Sequence, residues 1–182
     1  LTKVLHNYSS EEQLILGCKN QERSAQYALY QIYAGKMFSV CKRYLGNGPD
    51  AEDALMEGFM KVYSKMDGFQ NQGSLEGWIR RIMTNEALMK IRKNNLHKSI
   101  PANEELVISI PENALMNLEV EDIEQLITEL PIGYRTIFNL YAIEGYSHKE
   151  IATYLDISEG TSKSQLSRAR AILQSKFKLL QA

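Results

Sequence analysis

Apolar residues recur at three- and four-residue steps through one segment after another of this chain, the period of helices that bury a single face. The spacing predicts helices at about 11–19, 22–45, 50–66, 74–95, 119–129, 131–144, 147–155 and 159–178. One stripe runs Ala51, Leu55, Phe59, Val62 and Met66, and it leaves Glu52, Asp53, Met56, Glu57 and Met60 facing elsewhere. A second runs Ile79, Ile82, Met83, Leu88 and Ile91, and a third Leu166, Ala169, Leu173 and Phe177. Only Glu105–Ile110 alternates as a strand would, and it is short. The chain reads as all-α.

Turn residues divide these helices. Gly46-Asn-Gly-Pro49 separates the second from the third, and Pro49 or Asp50 opens the latter. Asp67–Gly73 has loop composition, and Ser74 is placed to cap the helix that follows. Pro101, Pro111 and several acids mark 98–118 as a linker, so two small helical domains are expected at 1–97 and 119–182, joined by a flexible acidic connector.

Charge sharpens that division. The net charge is only −1, but residues 1–98 carry 14 Lys and Arg against 10 Asp and Glu, and residues 145–182 carry 6 against 3. Between them, residues 99–144 carry 1 against 9. Two basic blocks around an acidic middle fit two anion-binding modules on a connector.

Several function classes fall away. Cys18 and Cys41 form no CxxC pair and read as small apolar residues of a reducing cytoplasm. His6, His97 and His148 are scattered, and no glycine-rich phosphate loop occurs, so neither catalysis, nor a metal, nor a cofactor is expected. No signal peptide is legible, and no segment approaches the roughly 20 apolar residues of a membrane span. The expectation is a cytoplasmic protein with no direct membrane insertion.

The most informative stretch is Tyr146–Arg170, which reads as a helix-turn-helix. Ser147 can cap a first helix and Glu150 complete a capping box; Ile151, Ala152 and Leu155 bury it; Asp156-Ile157-Ser158 is the turn. The second helix carries Thr161, Lys163, Ser164, Gln165, Ser167, Arg168 and Arg170 on its polar side. Short hydrogen-bonding side chains among cations suit a major groove, where bases are read by hydrogen bonds and phosphates by charge. His148, in the first of the two helices, is expected at the surface. A second cationic segment runs from Trp78 to Lys98, with six Lys and Arg and one acid, Glu86. Arg80, Arg81, Asn85, Lys90 and Arg92 there suit phosphates and exposed bases, and Trp78 reads as core.

Taken together these stretches resemble the extracytoplasmic-function (ECF) class of bacterial sigma factors, in the sigma-70 family, over about residues 20–178. Asp50–Tyr63 resembles the helix that binds the clamp coiled coil of core RNA polymerase. Gly73–Asn85 with Arg92 and Lys93 is similar to the segment that melts and reads the minus-ten element. Leu130–Arg170 resembles the domain that reads the minus-thirty-five element, with Gly160–Leu166 in a form similar to that common in Bacteroidetes. Met56, Gly58, Met89 and Ser162 depart from the usual family residues, which are Gln, a branched residue, Asp and Val.

The resemblance implies roles by position. Asp53, Met56, Glu57 and Met60 would meet polymerase. The Gln70–Gly73 loop, with Asn71 and Gln72, would hold a flipped minus-ten base, and Arg80, Arg81, Asn85, Lys90 and Arg92 would line the single strand. Lys163, Ser164, Ser167 and Arg168 would reach upstream base edges, with Tyr141, Thr161 and Arg170 on phosphates. Implied partners are core RNA polymerase (clamp coiled coil and flap), promoter DNA, and an anti-sigma factor of the kind commonly anchored in the membrane. The competing reading is a free-standing helix-turn-helix regulator that binds duplex DNA without polymerase. It leaves the Trp78–Lys93 segment idle.

Overall fold

The computed structural model of the protein describes residues 8, 10–46, 48–95 and 120–180. The 98–118 connector and the Glu105–Ile110 stretch lie outside the described residues. Among those described, eight α-helices occur and no strand, and the chain divides into two compact units, Leu1–His97 and Lys98–Ala182.

The first unit contains α1 (Glu11–Lys19), α2 (Arg23–Leu45), α3 (Pro49–Lys65) and α4 (Leu75–Asn95). Ser10 caps α1 by accepting from the Gln13 amide at 3.2 Å, and Pro49 opens α3 where its missing N–H costs nothing. Leu29, Met37 and Val40 of α2 share a core with Leu55, Phe59 and Val62 of α3 and Ile79, Met83 and Leu88 of α4. The α3 stripe predicted from spacing, Ala51 through Met66, is wholly buried.

Two close approaches explain local choices of residue. A Cβ on Gly17 would lie 2.7 Å from the Ala25 Cβ, so α1 needs glycine to cross α2. A Cβ on Gly58 would run into the Met83 sulfur, so the glycine that departs from the family pattern makes room for that methionine. Cys18 and Cys41 are buried free thiols, pushed up to about 11 and about 12 chiefly by burial, and are inert core residues. Glu86, the one acid in the Trp78–Lys98 segment, is also buried and takes the Lys61 ammonium at 2.7 and 2.8 Å.

The second unit contains α5 (Val120–Thr128), α6 (Ile132–Phe138), α7 (His148–Leu155) and α8 (Glu159–Leu180). Leu126, Ile127, Leu130, Ala169 and Leu173 form its core cluster, with Tyr134, Phe138, Ile143 and Ile172 packed around it. The buried Arg135 donates to the Thr128 carbonyl at 2.5 Å and so satisfies the end of α5 from α6. Its guanidinium is held below its ordinary pKa by burial. The sequence period predicts one helix over 131–144. The chain instead widens from α6 into a single π-helical turn, Asn139–Ile143, which shifts the facing of the residues it contains.

Candidate polymerase and nucleic-acid interfaces

On α3, Asp53, Met56, Glu57 and Met60 all stand exposed, the two methionines at 56% and 68%. Two large apolar side chains one turn apart, flanked by acids, thus stand together at the surface. Met89 of α4 is exposed as well, at 55%. Lys90 lies beside them: its Nζ is 3.3 Å from Asp53 Oδ2 and 3.4 Å from Glu57 Oε1. Burial alone would lower the Lys90 pKa, but hydrogen bonds and attraction to the two carboxylates outweigh it and leave it raised.

The minus-ten candidates divide by helix geometry. At 3.6 residues per turn Arg81, Asn85 and Arg92 fall on one side of α4, whereas Lys90 lies roughly half a turn away, against α3. Arg81 and Arg92 are exposed and Asn85 is half-buried. Arg80, also half-buried, is tied to Glu76 at 3.3 Å, and Glu76 also takes Lys36 at 2.6 Å. The hydrogen bond from Lys36 is the main reason the Glu76 carboxyl sits below its ordinary range. Glu86 is turned into the core and does not stand on the Arg81 side of α4.

The loop before α4 is anchored at both ends. Phe69 is buried against Trp78, ring centroids 5.2 Å apart, and Lys19 Nζ donates to the Phe69 carbonyl at 3.2 Å. Ser74 caps α4 by accepting from the Gly77 amide at 3.1 Å. Between these anchors Gln70, Asn71, Gln72 and Gly73 are exposed, with Asn71 at φ 55° and Gly73 at φ 113°. Left-handed backbone at two of four positions makes a sharp, outward-facing loop.

In the second unit the Ser147 amide donates to Glu150 Oε2 at 2.8 Å, and the Glu150 amide donates back to Ser147 Oγ at 3.3 Å. This is the reciprocal cap expected from the sequence. Asp156 ends α7 at φ 56°, and Ser158 caps α8 by accepting from the Thr161 amide at 2.9 Å. Lys163, Ser164, Ser167 and Arg170 are exposed, and Thr161 and Arg168 are half-buried. Tyr141, in the π-helical turn, sits 5.8 Å from the Arg170 guanidinium. His148 corrects the sequence expectation. It is half-buried, stacked on Tyr141 and 2.9 Å from the buried Ser162 hydroxyl, because α7 and α8 meet at that point. No signal in the sequence pairs residues 148 and 162.

One unit presents a cationic helix beside an exposed loop and the other a capped helix-turn-helix, features of the class of DNA-binding proteins. Comparison with known proteins narrows the class. Residues 29–96 match the family model described as sigma-70 region 2, and residues 120–173 match sigma-70, region 4. The ECF RNA polymerase sigma factor SigW of Bacillus subtilis is 32% identical, over 88% of this chain and 92% of its own. The ECF sigma-E factor of Escherichia coli K12 is 27% identical, over 94% and 96%. Among solved structures, RpoE of Bartonella quintana bound to the anti-sigma factor NepR is 25% identical with a TM-score of 0.51, over 82% of this chain and 94% of RpoE. CnrH in complex with the cytosolic domain of CnrY shares the fold at 18% identity and a TM-score of 0.50, over 91% and 96%. The chain belongs to the ECF sigma factors of the sigma-70 family. Such proteins are transcription initiation factors rather than catalysts.

Proposed function

We propose that this initiation factor joins core RNA polymerase through the exposed Asp53, Met56, Glu57 and Met60 face of α3 and directs it to promoters that both units read. Asn71 and Gln72 hold a flipped minus-ten base, and Arg80, Arg81, Asn85 and Arg92 hold the melted strand. Unpairing costs a few kcal/mol, which pocket and strand contacts offset. Lys90 serves the same strand only by leaving Asp53 and Glu57; in the free protein it steadies the polymerase-binding acids instead. Lys163, Ser164, Ser167 and Arg168 read upstream bases, while Tyr141, Thr161 and Arg170 hold phosphates.

The observation that carries this reading is the co-occurrence, in order, of an exposed Met and acid face, a cationic strand-binding helix and a helix-turn-helix in a chain of this family. The protein has no catalysis of its own and acts in the cytoplasm; no helix among the described residues is long and apolar enough to cross a membrane. An anti-sigma factor is its regulator, a reading supported by the RpoE complex with NepR. Run-off transcription from a promoter library with bacterial core polymerase tests the proposal. Promoter-specific transcripts are expected only when the protein is present. Duplex binding without polymerase, and no transcripts, would favour the free-standing regulator.

A further inference from the structure

The second unit contains a polar contact that none of the roles above uses. His148 opens α7 and Ser162 is fully buried in α8, and His148 Nδ1 and Ser162 Oγ are 2.9 Å apart. The same imidazole lies on the Tyr141 ring, with centroids 4.4 Å apart and planes inclined by 23°. The Arg170 guanidinium sits 5.8 Å from the centre of the Tyr141 ring. Ser162, His148, Tyr141 and Arg170 therefore make one continuous line of contacts across three elements.

We propose that His148 is a positioning residue of the upstream DNA interface, setting the Tyr141 ring and, through it, Arg170 for contact with phosphates. The inference rests on the assignment of α8 to the upstream element. A phenol and a long guanidinium side chain each lose rotamer freedom when DNA orders them, and that loss weakens binding. Stacking on the imidazole orders the phenol beforehand. The imidazole is itself held, because turning away would leave the buried Ser162 hydroxyl without its partner. Since Ser162 belongs to α8, the same hydrogen bond ties the start of α7 to the helix that reads the bases. Neither half of this device is visible at the DNA surface alone. Ser162, which stands where the family usually has Val, supplies the polar anchor that a branched apolar residue would lack.

The test uses holoenzyme assembled with the full chain and two promoters, one carrying the upstream element intact and one whose DNA ends downstream of it, so that phosphate contacts are read as well as base contacts. His148→Ala should lower the preference for the intact element by about three- to tenfold, the worth of one aromatic stack and the cation it orients. His148→Asn keeps a nitrogen for Ser162 but has no ring; it should show the same loss while retaining the melting temperature and core affinity. Because His148 acts through Tyr141 and Arg170 together, adding His148→Ala to Arg170→Ala should lower the preference by less than His148→Ala does alone. Full additivity of that pair, or an unchanged preference with His148→Asn, overturns the proposal. If Arg168→Ala and Arg170→Ala are themselves silent, the assignment of α8 falls and this inference with it. Silent His148 variants beside active arginine variants refute the inference alone.

Discussion

Glu57 stands 55% exposed on α3 and shares Lys90 with Asp53, so it carries little of the fold. Reversing its charge should leave thermal stability within about 0.5 kcal/mol, as for most surface changes. In the same Glu57→Lys protein, affinity for core polymerase should drop by about 2 kcal/mol or more, the usual consequence of misplacing an interfacial charge. Normal affinity in a pull-down or fluorescence titration would remove α3 from the interface. Glu76 gives a pH signature of a different kind. Its folded pKa is lowered, chiefly by the Lys36 hydrogen bond, so the stability it contributes is present above the unfolded carboxyl value of about 4.3. That stability is lost as pH falls through the depressed folded value. Glu76→Gln should therefore be less stable than the parent at neutral pH, and the difference should close in acid. Parallel stability curves across that range would exclude the pair as a contributor.

The starts of α7 and α8 carry their own signals, and there local chemistry sufficed. Ser147 and Glu150 are three residues apart and form the reciprocal cap that this spacing implies. Removing the cap with Ser147→Ala should cost about 1 kcal/mol. In a unit this small that corresponds to a melting point lower by about 4–8 °C, read by circular dichroism on the full chain. No shift would mean that tertiary packing alone holds α7. The run over 131–144 was legible as helical but its π-helical turn was not. Apolar spacing cannot separate a regular turn from one holding an extra residue, because both leave Leu140 buried. That extra residue decides where Tyr141 faces, and with it the stack on His148.

For the whole molecule, a net charge of −1 conceals two basic blocks and an acidic middle, a distribution that matters more than its sum. Each described unit has its own buried core, Leu29, Val62 and Met83 in one and Leu126, Ala169 and Leu173 in the other. Cleavage within residues 98–118 should therefore yield two fragments that each retain native helicity. Loss of helicity in either fragment would show that its core depends on the other.

The sequence by itself determined that the chain is helical, the caps at Ser74, Ser147 and Ser158, the buried stripes and the family, because helical period and capping act within a few residues. It also marked the exposed Met56 and Met60, since a stripe that buries Phe59 and Val62 must turn them outward. Tertiary structure alone decided which helix faces meet. It set Lys90 of α4 against Asp53 and Glu57 of α3, at 33 to 37 residues' separation. It fitted Met83 into the space left by Gly58 and buried Glu86 against Lys61. It brought His148 to Ser162. These contacts depend on the crossing of separate helices, and no periodicity along one helix records where a neighbour will lie.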